Sequence, residues 1–253
     1  MHATGAVRVA QVVPQNVEKT PLYHWWPGTR LLVLGSRDGA AFDGAARGGI
    51  SYQRSIDAEL LRLAHARACT DALCAAWDNS LEEDAGLELL LVLGAPVVVC
   101  CSGHGSADRL EQLLPAVSAW CLLVGPEPGP LAECILRHGR HVEVLLGVDG
   151  SSPLPALPWG YARAVHLTAL RANALQQDHE RLRAQLPATV PLYDERHPHS
   201  HCPSCGADWV WRQGGRSRLD QLDPDTGRCR GCQAPAQGFT LHRPMRAAAL
   251  GTG

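Results

Sequence analysis

Residues 96–101 read PVVVCC. Three β-branched residues followed by two small apolar thiols, with proline at the entry, mark a strand that is apolar on both faces. Such a strand belongs to a sheet covered on both sides or to the interior of a barrel, because a half-solvated strand alternates polar and apolar residues. Working outward, similar runs occur at Leu31–Leu34, Ala72–Trp77, Trp120–Val124, Val142–Val148, Ala162–Leu167 and Val190–Tyr193. Helical patterns lie between them. Ser55 is placed to cap a helix carrying Ile56, Leu60, Leu63 and Ala64 on one face, with Asp57 and Glu59 in its first turn. Further helices are expected at Leu81–Leu93, Ala107–Leu114, Pro130–His138 and Ala172–Leu186, and a loop at Asp149–Pro158. Strand and helix in alternation predict a parallel sheet with crossover helices, with about six units fitting residues 30–195.

The 253 residues carry a net charge of −2, and 45% are hydrophobic. This suits a globular protein with a sizeable core and gives no basic field that would announce nucleic acid. No apolar run reaches the roughly 18 residues of a membrane-spanning helix. The start, MHATGAVRVAQVV, lacks the layout of a signal peptide. A cytoplasmic protein is therefore expected, with its ten cysteines held as thiols or metal ligands.

From His197 onward the composition changes to Cys, Gly, Arg and Trp. Cys202-Pro-Ser-Cys205 and Cys229-Arg-Gly-Cys232 form two CxxC pairs 23 residues apart. Each pair presents two sulfurs from a tight knuckle, and two knuckles complete a tetrahedron suited to Zn2+. Gly206 and Gly231 are expected to supply the permissive backbone, and Trp209–Trp211 to form a strand between the knuckles. All four positions are filled by protein, so the zinc is expected to be structural. His197, His199 and His201 just upstream read as a solvated linker, or as residues that replace a ligand or bind a second ion.

Two segments carry a resemblance to a known family: VEKTPLYHWWPG at 17–28, running into TRLLVLG at 29–35, and the tail HCPSCGADWVWRQ … GRCRGCQAPAQGF. Both resemble AmmeMemoRadiSam-type radical SAM proteins, relatives of pyruvate formate-lyase-activating enzymes. Looser matches occur at Gly94–Cys101, Leu113–Ala119 and His141–Leu146. The resemblance implies a partial (β/α)6 barrel and, after its first strand, a CxxxCxxC loop holding a [4Fe–4S] cluster that binds S-adenosylmethionine. Here that loop, residues 36–50, contains no cysteine, and the first cysteine in the chain is Cys69. Gly39, Asp43 and Ala46 stand about where the three ligands would fall. The family's Asn-Glu-Pro motif corresponds to Asn79-Ser80-Leu81, which keeps the Asn and loses the carboxylate. The loop matches neither GxGxxG nor GxxxxGK[ST], so it reads as a degenerate cluster loop.

The expectation is a trimmed radical-SAM-like α/β barrel domain over residues 16–195 with a zinc ribbon over 196–240, between tails at 1–15 and 241–253. Zn2+ would be retained, and the cluster and S-adenosylmethionine chemistry lost. The role would be that of a scaffold or regulator, and the family suggests a Memo-type protein partner. Three other functions are open. One is an enzyme using a relocated cluster, or Cys100, Cys101 and His104 as nucleophile and base. Another is a nucleic-acid module using Arg212, Arg216, Arg218, Arg228 and Arg230. The third is a sensor that binds S-adenosylmethionine or a nucleotide without reacting it. Cys69, Cys74, Cys121 and Cys134 read as core thiols. Tyr23–Trp26 is expected to pack on the barrel floor, and Trp25, Trp26, Trp120 and Trp159 are core residues or interface anchors. Asp194, Glu195 and His197 read as a polar linker or a small metal site.

Overall fold

The computed structural model describes residues 7–9, 11–35, 54–68, 71–76, 89, 91, 93–149, 153–169, 174–194, 196–213 and 216–241. A short antiparallel pair joins β1 (Val7–Val9) to β4 (Arg54–Ile56). The main sheet contains β2 (Gln11–Asn16), β3 (Arg30–Gly35), β5 (Ala72–Ala76), β6 (Val97–Cys101), β7 (Ala119–Val124), β8 (Val142–Val148), β9 (Ala164–Ala169) and β10 (Leu192–Tyr193). From β3 to β10 each strand pairs in parallel with the next strand of that list. Only β2 runs antiparallel, on β3. Its Pro14 lacks an N–H and is tolerated because β2 is an edge strand. The stretch expected as an N-terminal tail thus contributes a strand to the sheet.

The crossover helices are α1 (Ala58–Ala68), α2 (Ala107–Leu113), α3 (Ala132–His138) and α4 (Ala174–Gln185). Two details of α1 differ from the sequence reading. Ser55 lies in β4, and Asp57 caps the helix by accepting the Leu60 N–H at 2.9 Å. The buried position is Leu61, whereas Leu60 and Leu63 are exposed. The start of the helix fixes which side faces the sheet, so a cap displaced by two residues rotates the apolar face. The segment expected as a helix at 81–93 lies mostly outside the described residues.

Alternation along the strands divides the core in two. Leu61, Leu110, Leu113, Ile135, Leu136 and Leu182 from the four helices, and Leu186 just after the last of them, pack with Leu32, Leu34, Val99, Cys101, Leu122 and Val144 on one face. The other face carries Leu31, Val33, Val98, Cys100 and Cys121, and the cover there is Val17, Leu22 and Trp25 from the segment before β3. The described helices therefore line one face, and an irregular segment covers the start of the other. Gly139, after α3, marks how tightly the helix meets the sheet: an added Cβ would stand 2.6 Å from Val142 Cγ2 and 2.7 Å from the Ile135 carbonyl. Among the described residues, no helix is long and apolar enough to cross a membrane.

Beyond residue 196 the chain forms short antiparallel pieces. β11 (Ser200–His201), β12 (Asp208–Gln213) and β13 (Arg216–Leu219) make one sheet, and β14 (Leu222–Asp223) pairs with β15 (Arg228–Cys229). Cys202, Trp209, Val210, Leu222 and Cys229 are their small common core. So small a core needs further cross-linking to persist.

Candidate metal centre

The two knuckles are built alike. Gly206 N–H donates to the Cys202 carbonyl and Gln233 N–H to the Cys229 carbonyl, both at 2.8 Å. The residue after each second cysteine takes the left-handed conformation, Gly206 at φ +74° and Gln233 at φ +63°. The sequence reading placed this freedom at Gly231, but the turn requires it at Gln233, the position matching Gly206. Gly231 instead stands where a Cβ would lie 3.7 Å from Cys205 Sγ.

The four sulfurs converge within 4.8 Å of one another. Cys202 Sγ and Cys232 Sγ are 3.5 Å apart, and Cys205 Sγ and Cys229 Sγ 3.7 Å. Zn–S bonds of about 2.3 Å place tetrahedral sulfurs about 3.8 Å apart, so four cysteines stand where they can bind a metal such as zinc. The thiols are unevenly poised. The Cys232 N–H brings Cys229 down to about 6. In Cys202, burial is outweighed by the N–H groups of Ser204 and Cys205, and the shift is downward. In Cys205 the Ala207 N–H is outweighed by adjacent sulfurs, Cys232 first, and the thiol is pushed up to about 12. Cys232 is raised as well, the Ala234 N–H giving way to the sulfur of Cys202. Crowded thiols resist full ionisation unless a cation neutralises them.

What ties this centre to the sheet is a buried carboxylate that sequence reasoning missed. Glu143 is the second residue of β8, on the face that the helices leave free, and is fully buried. Its Oε2 accepts the Tyr23 N–H at 2.7 Å and His166 Nε2 at 2.8 Å. Its Oε1 accepts N–H groups from His24 at 2.8 Å and Trp25 at 3.2 Å, and His141 Nε2 at 2.9 Å. Burial pushes the carboxyl up, but hydrogen bonds from His141 and His166 outweigh it and hold Glu143 well below the ordinary range. An ionised carboxylate only accepts, so both imidazoles carry their proton on Nε2. The signal was one charge in an apolar strand, HVEVLLGV, with histidines at 141 and 166.

The segment pinned by Glu143 also receives the tail. Arg212 donates to the Tyr23 carbonyl at 2.6 Å and to Ser200 Oγ at 2.7 Å, with its guanidinium 4.3 Å from the Tyr23 ring centroid. Thr240 N–H donates to the His24 carbonyl, and Trp26 N–H to the Thr240 carbonyl, both at 2.7 Å. Thr240 Oγ1 pairs with His141 Nδ1 at 2.9 Å. The His24 ring stacks on Phe239 at 4.0 Å, and its Nε2 pairs with Tyr193 Oη at 2.6 Å. Burial lowers His24 to about 3, so it is neutral. The network lies at the N-terminal ends of β8 and β9, the end of a parallel sheet that serves stability, whereas ligand sites gather at the C-terminal ends.

Cys100 and Cys101 are fully buried and point to opposite faces, while His104 is exposed. Cys121 is buried beside Cys100, in register on the neighbouring strand. Cys134 is half-buried against the helix-side core. Gly39, Asp43, Ala46, Asn79, Cys69, the Cys74 side chain and Glu195 lie outside the described residues. Trp25, Trp120 and Trp159 are core residues. Arg212 is buried in the network above and Arg218 packs over Trp211, whereas Arg228 and Arg230 donate to the carbonyls of Gln233 and Asp220. His199 Nδ1 accepts the Arg212 N–H, and His201 pairs with Asp208 at 2.6 Å, so both are engaged within the tail. Among the described residues, the groups of three or more potential ligands are the four cysteines and the set His179, Asp194 and His197. No protein-family model and no curated protein matches this chain.

Proposed function

We propose that the protein is a zinc-binding, non-radical scaffold or regulator: a trimmed relative of radical SAM barrel proteins that keeps their C-terminal zinc ribbon and has lost the [4Fe–4S] ligands. The observation that carries this reading is the closed four-sulfur set, fastened through Arg212, Phe239 and Thr240 to a segment that Glu143 pins. A metal with four protein ligands has no open position for substrate. Zinc there would hold Cys202, Cys205, Cys229 and Cys232 together and so keep the tail on the sheet.

Two further features support the barrel and family parts of the reading. Seven parallel strands follow one another in unbroken order with the described helices on one face, the winding that a partial barrel uses. Residues 36–50, where the resembled family carries CxxxCxxC, contain no cysteine. A Memo-type partner follows from the resemblance alone. The test is anaerobic reconstitution with iron and sulfide, followed by incubation with S-adenosylmethionine and a reductant. Zinc retention without 5′-deoxyadenosine supports the proposal. Formation of 5′-deoxyadenosine refutes it.

A further inference from the structure

We propose that His179, Asp194 and His197 form a second divalent-metal site, a two-histidine, one-carboxylate set of zinc-binding chemistry, separate from the four cysteines. His179 lies on α4, Asp194 directly follows β10, and His197 stands three residues further on. The sequence brought out Asp194 and His197; the fold supplies His179 from a helix.

The Asp194 side chain is fully buried, and its two oxygens are used differently. Oδ1 accepts the N–H groups of Arg196 at 2.8 Å and His197 at 2.7 Å, and pairs with His197 Nδ1 at 3.0 Å. Oδ2 lies 2.9 Å from His179 Nδ1, yet both atoms are buried without a hydrogen-bond partner. They touch at hydrogen-bond distance without hydrogen-bond alignment. An aspartate that merely caps the turn accounts for Oδ1; Oδ2 and His179 Nδ1 make an ion pair that is charged only when the imidazole is protonated, and the absence of an aligned hydrogen bond between these buried atoms is the feature left over. A cation bound by both resolves it. One ligand atom from each of the three residues lies within 4.8 Å of the others, while zinc with N and O ligands at about 2.0–2.2 Å spaces them about 3.3–3.6 Å apart. His179 Nδ1 at 2.9 Å from Oδ2 and His197 Nδ1 at 3.0 Å from Oδ1 already stand around the carboxylate, and the His197 side chain is 61% exposed.

The nearest competing cation is Arg196, whose guanidinium stays 3.9 Å from Oδ2 and is half exposed. Two nitrogens and one oxygen favour zinc, or iron(II) and cobalt(II), over calcium and magnesium, which take oxygen. Three protein ligands leave a fourth position for water, unlike the closed cysteine set.

The test is a cobalt(II) titration of the full chain, stripped of metal and kept reduced. Two equivalents are expected. One gives the intense thiolate-to-cobalt absorption of the cysteine set. The other gives only weak bands without thiolate character. H179A and H197A should keep the thiolate signal, which reports that the tail is folded, and weaken the second site more than about 100-fold, beyond what loss of an outer-shell partner causes. A single equivalent in the unaltered protein, or a second equivalent that survives both substitutions, overturns the proposal. Loss of the thiolate signal alone would count against the zinc ribbon and leave the second site standing.

Discussion

Glu143→Gln tests the network that holds the tail to the sheet. Glutamine keeps the shape and replaces one acceptor oxygen with a donor. The amide oxygen fits best at the Oε1 position, where it keeps His24, Trp25 and His141. The amide nitrogen then confronts the Tyr23 N–H and His166 Nε2, now 2.7 Å and 2.8 Å from the oxygen it replaces. Hydrogen bonds to a charged group contribute about 1.5–3 kcal/mol each. His166 can shift its proton to Nδ1 and accept from the amide, whereas the Tyr23 backbone has no such option. The expected loss is about 3–5 kcal/mol, the range for breaking a buried charge network, against a total stability of about 5–15 kcal/mol. Equilibrium unfolding in urea, followed by tryptophan fluorescence, measures it. Hydrogen exchange should show the Tyr23 amide losing protection, while the His24 and Trp25 amides keep the glutamine oxygen as acceptor. A loss below about 1 kcal/mol, with the Tyr23 amide still protected, would refute the reasoning.

Stability should fall in acid in a defined window. His24 is depressed to about 3 in the folded chain and is near 6.5 when unfolded. Only the unfolded state takes up this proton between those values, so stability is full above pH 6.5 and declines as pH falls toward 3. By pH 4.5 the loss is about 3 kcal/mol, and H24N should flatten that part of the pH profile measured by urea unfolding. Glu143 adds a loss of the same sign below its ordinary carboxylate range, because its folded value is depressed. Removing metal with a chelator should release residues 200–241 to proteolysis while β3 to β9 persist, and zinc addition should reverse it. Gly129→Ala should cost about 1–3 kcal/mol in thermal unfolding, because its Cβ would sit 2.5 Å from the Ser102 carbonyl oxygen and Gly103 carbon.

Apolar strands such as Val97–Cys101 and Val142–Val148 were readable from residue type alone, because burial on both faces leaves no alternation to misread. The cysteine set was readable because ligand spacing is local in sequence. The position of the left-handed residue in the second knuckle was not, since Gln233 has no strong preference for it. Leu61 was missed through a shifted cap, and β2 because residues 1–15 read as a tail. Glu143 joins residues about 120 positions apart, and His179 meets Asp194 only through the packing of α4 on β10. No local pattern encodes either meeting.

The most direct test of the central claim is zinc, iron and acid-labile sulfide content after anaerobic iron–sulfide reconstitution, comparing the unaltered chain with C205S. The expected result is zinc that depends on Cys205 and no labile sulfide. Sulfide and iron in equal amounts, near four of each per chain as in a [4Fe–4S] cluster, would contradict it and show that cysteines elsewhere in the chain assemble a cluster.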